Sequence, residues 1–274
     1  MLKTLVVGAG LSGLMIALSL RDSRDVAVVD KARSVGGRLA TRRTDNATFD
    51  HGAQFYRLKA PLREMHERWL ERQLVKLWFT ENQEQHFYAV GGMTALAKDL
   101  AQDTRVIVNE RVVGLERKNQ KWVVTFDSAR IEKVDEVIFT CPTPQTLEIF
   151  KVSSLAYPAR LSEVLYSKAL VLLIEDSPTP FRFQAHGYVE PQNSSIFSVA
   201  DQHEKGISKV NAITVTLTAE TSDQHFDSPD EDVIRHAIGE LQKIYPNFVP
   251  GITQLKKWRY CQVQKSFGEL FAQV

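Results

Sequence analysis

The sequence predicts an α/β fold in two parts, a parallel-sheet nucleotide-binding domain and an α+β substrate domain with an antiparallel sheet. Three observations lead there. Leu2 to Val7 is a short apolar run followed by Gly8-Ala-Gly10-Leu-Ser-Gly13 and then an apolar-periodic run, Leu14 to Leu20. That is a buried strand, a glycine turn and a helix. Asp25-Val-Ala-Val-Val-Asp30 is a second strand with an apolar centre, as in a parallel sheet buried on both faces. From Lys151 onward the pattern changes to long apolar and alternating strands with one covering helix, which describes an α+β domain.

The glycine turn carries a chemical expectation. Gly8 allows the tight turn, Gly10 lets a pyrophosphate approach the backbone, and Gly13 lets the helix pack closely on the strand. The N–H groups at the helix start, around Leu11 and Ser12, form an anion site. Asp30 lies seventeen residues past Gly13, at the tip of the second strand. There an acidic side chain accepts hydrogen bonds from a ribose of the dinucleotide.

Composition sets the limits. The chain has 274 residues, with Lys+Arg 34 against Asp+Glu 33, a formal net charge of +1. That balance gives no reason to expect nucleic acid or an anionic membrane as partner. Two cysteines, Cys141 and Cys261, argue against a disulfide scaffold and suit a reducing cytoplasm. The start is interrupted by Lys3 and flows straight into the glycine turn, so it does not read as a signal peptide. No apolar run approaches the length of a membrane span. The seven histidines show no pair at helical ligand spacing, so no metal site is expected.

After the second strand come Lys31, the adjacent glycines Gly36 and Gly37, and Arg38, with further arginines at 33, 42 and 43. Adjacent glycines bring the backbone close to a neighbour, and arginine forks suit phosphate. Asp50-His-Gly52-Ala53-Gln54-Phe55 follows, with small residues at its centre. The ordered series Gly8-x-Gly10-x-x-Gly13, Asp30-Lys31, Gly36-Gly37-Arg38 and Asp50-x-Gly52-Ala53-Gln54-Phe55 resembles the renalase-like branch of the FAD-dependent amine oxidase superfamily. The Gly-Ala-Gln-aromatic piece is its most specific part.

Further along, Pro61 to Leu74 reads as an amphipathic helix with Leu62, Met65, Trp69 and Leu70 on its apolar stripe. Leu74 to Trp78 and His86 to Tyr88 are short strands. Val90-Gly91-Gly92-Met93 opens a helix. Arg105 to Asn109 is expected as the third parallel strand. Val112 to Glu116 and Trp122 to Phe126 form a hairpin, similar to the β-meander of the resembled fold. Val134 to Thr140 is another buried strand, stopped by two prolines. Cys141 sits where a flavin could pass, or is a small buried thiol.

In the second part, Tyr166 to Ile174 is a long apolar run. From Val210 to Thr218, Ile213, Val215 and Leu217 alternate with Thr214, Thr216 and Thr218, so one face is buried and one half-polar. Ser228 and Glu231 have the spacing of a capping box before a helix whose buried face is Val233, Ile234, Ala237, Ile238, Leu241 and Ile244. Ile252 to Val263 is a strand. Its Trp258 is either a wall of the flavin pocket or a core aromatic.

The resemblance implies FAD as cofactor in a discontinuous Rossmann-like domain, residues 1–57 and 90–150, with residues 58–89 and 151–263 as the substrate domain. It implies that Gly8, Gly10, Leu11, Ser12 and Gly13 hold pyrophosphate and that Asp30, followed by Lys31, holds ribose. Gly37 and Arg38 would face pyrophosphate and ribityl oxygens, Gln54 and Phe55 the isoalloxazine, and the Val112 backbone adenine. It implies a dihydronicotinamide isomer of NAD(P)H as a small-molecule hydride donor and dioxygen as electron acceptor. Hydride transfer to a flavin requires no nucleophile or general base from the protein, in keeping with the lack of a catalytic constellation. An amine oxidase, a desaturase-like flavoenzyme and a degenerate flavoprotein stay open as alternatives. The family continues past this point into a strand ending in Gly-Asp, whereas this sequence ends at Leu270-Phe-Ala-Gln-Val274. Residues 264–274 are therefore expected as the truncated start of a return to the FAD domain, leaving one side of the flavin site open.

Overall fold

In a computed structural model of the chain, the structure describes residues 1–178, 186–192 and 194–274. The first half runs β1 (Leu2–Val7), α1 (Leu11–Leu20), β2 (Arg24–Val29), β3 (Thr41–Arg43), β4 (Thr48–Asp50), β5 (Tyr56–Arg57), α2 (Arg63–Glu71), β6 (Val75–Glu81), β7 (Glu84–Ala89), α3 (Thr94–Gln102), β8 (Arg105–Ile107), β9 (Val112–Lys118), β10 (Lys121–Phe126), β11 (Ile131–Val134) and β12 (Glu136–Phe139). It continues with α4 (Thr143–Val152), β13 (Leu165–Tyr166), β14 (Ala169–Glu175), β15 (Tyr188–Val189), β16 (Ile196–Asp201), β17 (Ala212–Leu217), α5 (Ala219–His225), α6 (Asp230–Ile244), β18 (Ile252–Trp258) and β19 (Val263–Lys265). These elements fall into two compact units, one of Met1–Arg38, Leu96–Leu165 and Val263–Val274, the other of Leu39–Ala95 and Tyr166–Gln262.

The first unit holds a four-stranded sheet in the order β12-β1-β2-β8, every pair parallel. Its strands are short and apolar because helices and a second sheet cover them, the pattern expected of buried parallel strands. The β9–β10–β11 sheet is an antiparallel meander. Its inner side chains, Leu115, Val124, Phe126 and Val134, share one core with Leu5, Val7 and Val29 of the parallel sheet and Leu147 and Phe150 of α4. The expected strand from Val134 to Thr140 is in fact divided. Val134 closes the meander, the Asp135 N–H donates to Lys3 O, and only Glu136–Phe139 joins β1. One apolar run serves two sheets because the chain turns at the charged Asp135.

The second unit centres on a five-stranded sheet, β15-β16-β17-β14-β18, with each pair antiparallel. Every residue of β14 is buried. On one face Leu170, Leu172 and Ile174 pack with Val215, Leu217 and the α6 residues Val233, Ala237 and Leu241. On the other face Ala169, Val171 and Leu173 pack with Ala47 and Phe49 of the β3–β4 ribbon. That ribbon changes the reading of β17. Thr214 was expected on a half-polar face, but it is 1% exposed and its hydroxyl donates to Asp50 O.

Two helix expectations need correction. α2 begins at Arg63 after a 3-10 turn over Ala60–Leu62, and Leu70 is 45% exposed, so the buried stripe is His66 and Trp69. α6 takes Pro229 rather than Ser228 as its N-cap, with no side-chain cap. Asp230, Glu231 and Asp232 in its first turn stabilise the helix end through the macrodipole instead. Among the described residues, no helix is long and apolar enough to cross a membrane.

Candidate cofactor site

In the first unit the three glycines of the turn do three different jobs. Gly8 has φ +114°, and a Cβ there would lie 2.7 Å from Thr140 Oγ1. A Cβ on Gly13 would lie 1.9 Å from Gly8 O, so glycine here lets α1 pack against the turn. Gly10 has φ −76° and ψ 179°, which any residue adopts, and a Cβ there would meet nothing within 4 Å. Neither backbone conformation nor packing within the chain asks for glycine at position 10. The open space above it is what a group seated on the backbone would occupy.

Gly10 is also the N-cap of α1. No side chain caps this helix and no acidic residue stands in its first turn. The N–H groups of Leu11, Ser12 and Gly13 therefore present the positive end of the helix dipole to the same space, an arrangement suited to pyrophosphate. The second glycine pair lies on the first turn. Gly36 bridges Gly10, its N–H donates to Ala9 O at 2.9 Å, and a Cβ on Gly37 would lie 3.3 Å from the Gly10 Cα. Lys31, Gly37 and Arg38 are exposed beside this cradle.

Asp30 has a role that its place at a strand tip does not reveal. Its Oδ2 accepts from the Ala9 N–H at 2.7 Å and its Oδ1 from the Ala32 N–H at 2.8 Å. The carboxylate thus pins the glycine turn to β2. An ionised carboxylate has about four lone-pair sites, so about two remain for ribose hydroxyls. Val112 is 3% exposed, its side chain in the core of the meander. Cys141 is a thiol in contact with Thr146 Oγ1 at 3.2 Å, and burial pushes its pKa up, as for a small buried core thiol.

Gln54 and Phe55 belong to the second unit, where a buried ion pair organises their surroundings. Lys205 Nζ donates to Asp50 Oδ2 at 2.7 Å and to Gln54 O at 2.6 Å, and both side chains of the pair are fully buried. Asp50 Oδ1 accepts from Thr41 Oγ1 at 2.6 Å and from the Met93 N–H at 2.8 Å. Asp50 O accepts from Gln54 Nε2, and the Asp50 N–H donates to Gln202 Oε1. Gln202 Nε2 in turn donates to Gln54 Oε1 at 3.0 Å. The Gln54 amide is therefore held in place within the unit, with one N–H and one oxygen lone pair committed and as many left over.

Phe55 packs edge-on against Trp78, Phe79, His86 and Tyr188. The Lys205 ammonium lies 4.8 Å from the Trp78 ring centre and 6.0 Å from that of Tyr88, within cation–π range. Burial pulls the Lys205 pKa down and the Asp50 carboxylate pulls it back up, with the net direction down. Trp258 is part of the core beside Phe49 and Val171, and its indole N–H donates to His51 O at 2.8 Å.

Sequence reasoning did not find Lys205. It lies in Asp201-Gln-His-Glu-Lys-Gly, a polar run that reads as a solvated turn. Its burial arises because Asp201 folds the run back on itself, with the His203 and Glu204 N–H groups both donating to Asp201 Oδ1.

Comparison with known proteins agrees with this architecture. A family model for an NAD(P)-binding Rossmann-like domain matches residues 6–69, and a model for flavin-containing amine oxidoreductases matches residues 73–268. The chain is 26% identical to renalase from Mus musculus over 299 residues, covering 98% of this chain and 87% of that one. Among solved structures it is similar to a candidate protoporphyrinogen oxidase from Exiguobacterium sp. 255-15, with TM-score 0.77 and 12% identity over 97% of this chain and 88% of that one. It is also similar to a reduced UDP-galactopyranose mutase, with TM-score 0.69 and 11% identity over 95% and 83% of the two chains.

The ion pair makes a stability prediction. Lys205→Met leaves the Asp50 carboxylate buried without its cation and is expected to cost about 3–5 kcal/mol in urea unfolding. Combining it with Asp50→Asn removes the stranded charge and should restore at least half of that loss. A single-variant cost below about 1 kcal/mol, the size of an exposed pair, would show that the pair does not hold the unit together.

Proposed function

The chain belongs to the flavin-containing amine oxidoreductase family and is a renalase-like, FAD-dependent oxidoreductase; from that premise we propose that its reducing substrate is a dihydronicotinamide, an isomer of NAD(P)H, and its electron acceptor dioxygen. The observation that carries this reading is the likeness to renalase along 98% of the chain, which spans both units rather than the glycine turn alone. Bound FAD supplies the two-electron chemistry, accepting hydride from the donor and returning electrons to dioxygen.

The chain's own contribution is positioning. The α1 N–H groups of Leu11, Ser12 and Gly13 hold pyrophosphate over the space left by Gly10, with Gly8 setting the turn. Asp30 accepts from ribose with the oxygen sites that Ala9 and Ala32 leave over. Lys31, Gly37 and Arg38 line the phosphates, and the Val112 backbone meets adenine. From the second unit the resemblance assigns Gln54 and Phe55 to the isoalloxazine. The Asp50 network fixes the backbone of that segment.

The two free cysteines fit a cytoplasmic setting for this enzyme.

Two measurements check this reading. Anaerobic addition of dihydronicotinamide isomers should bleach the flavin absorbance of the purified protein, while primary and secondary amines leave it unchanged. Bleaching by amines alone would overturn the substrate assignment. Gly10→Val should abolish flavin occupancy yet cost no more than about 1–2 kcal/mol of unfolding free energy, the loss of a favourable N-cap residue, because a Cβ at that position meets nothing in the chain within 4 Å. Full flavin occupancy in this variant would remove Gly10 from the cofactor site.

A further inference from the structure

One cluster of polar groups in the second unit has no part in the scheme above. In the β3–β4 ladder Arg42 pairs with Phe49, so the two share a face, and His51 follows two residues after Phe49. Phe49 packs on Val171 of β14, whose β18 partner is Lys256. Two residues along β18 in either direction are Gln254 and Trp258, on the same face as Lys256. The His51 ring lies 5.4 Å from the Trp258 ring. Arg42, His51, Gln254 and Lys256 thus converge where the ribbon covers the edge of the sheet.

This cluster is rich in donors and short of acceptors. Neither Arg42 nor Lys256 has a carboxylate partner among the described residues. The Asp50 carboxylate, on the opposite face of the ribbon, is saturated by Lys205, Thr41 and Met93. Glu175 lies on the same sheet face, but at the far end of β14, where Thr44 Oγ1 donates to it. Lys257 points to the other face, towards Asp230 and the Phe226 and Ser228 carbonyls. His51 Nδ1 and Gln254 Oε1 are buried and have no hydrogen-bond partner among the described residues, and the Gln254 amide can turn its Nε2 to the same place. Buried polar atoms are nearly always satisfied, so these two are met by water or by a bound group. Arg42 is exposed and His51, Gln254 and Lys256 are half-buried, so the cluster is open to ligand.

We propose that Arg42, His51 and Lys256 form an anion-binding site that receives a phosphoryl group of the dihydronicotinamide dinucleotide. The assignment rests on the donor class proposed above. A phosphoryl group brings acceptor oxygens and negative charge and needs no acceptor from the protein. It suits the planar fork of Arg42, the ammonium of Lys256 and an N–H on His51 Nδ1. A second observation agrees. Burial and the neighbouring Lys256 and Arg42 cations hold the His51 pKa down at about 4, with Asp50 opposing, and desolvation and Arg42 hold the Lys256 pKa below its usual value. An anion seated among them relieves that repulsion and raises both.

The test uses the FAD-loaded protein and two readouts. In the first, imidazole NMR follows His51 during titration with inorganic phosphate, with acetate as comparison. Phosphate should move the His51 signals and raise its pKa by about one unit or more, acetate should do so more weakly, and Arg42→Gln/Lys256→Gln should lose the response. No response to phosphate in the loaded protein overturns the site, including the case in which only protein stripped of FAD responds, since the cluster then belongs to the cofactor. In the second, Lys256→Gln should raise KM for the dinucleotide about tenfold, the loss of one charged hydrogen bond. It should leave KM for the dihydronicotinamide riboside, which has no phosphate, unchanged. An equal change for both donors overturns the substrate assignment. If neither donor bleaches the flavin, the donor reading and the substrate half of this proposal fall together, and the phosphate titration alone decides the anion half.

Discussion

The second unit depends on a single buried charge pair. Asp50 and Lys205 are both inaccessible to solvent, and taking two such charges out of water costs several kcal/mol per ion unless each is fully hydrogen-bonded. Here the bonds are supplied by segments far apart in sequence. Thr41, Gln54, Met93, Gln202 and Thr214 all donate to or accept from Asp50. The pair therefore fixes the register of the β3–β4 ribbon on the sheet and the path of the Gly52–Phe55 segment. A Cβ on Gly92 would lie 2.4 Å from Thr41 Cγ2 and 3.1 Å from Asp50 Oδ1, so Gly92, just before α3, belongs to the same constraint.

The first unit is governed by a different economy, that of space. Gly8 and Gly13 are small because the chain is crowded there, whereas Gly10 is small although nothing crowds it. Asp30 ties the turn down through the Ala9 N–H and so holds the cradle in shape from beneath. Together these features give the turn a fixed, electropositive floor.

Much of this was legible in the sequence, and the reason is locality. The glycine turn, the strand before it, the helix after it and Asp30 at the end of β2 are each specified by a few adjacent residues, and the structure holds them where the spacing puts them. The alternation in β17 and the apolar run of β14 were equally plain. Features set by distant partners were not. Lys205 and Thr214 look solvent-facing until the ribbon closes over the sheet. The Val134–Thr140 run gives no sign that Asp135 divides it. Ser228 has a capping spacing, but Pro229 takes the cap position. Gln54 stands in a motif associated with a flavin ring, yet its amide is engaged by Asp50 and Gln202 for reasons visible only in three dimensions.

The central claim is that the first unit grips the ADP half of FAD through the space above Gly10 and the start of α1. Calorimetric titration of protein stripped of flavin tests it directly, with FAD, FMN and ADP as ligands. The account predicts that FAD binds at least about 100-fold more tightly than FMN, a difference of about 2.7 kcal/mol, and that ADP competes with FAD. Equal affinity for FAD and FMN, with no competition from ADP, would contradict it.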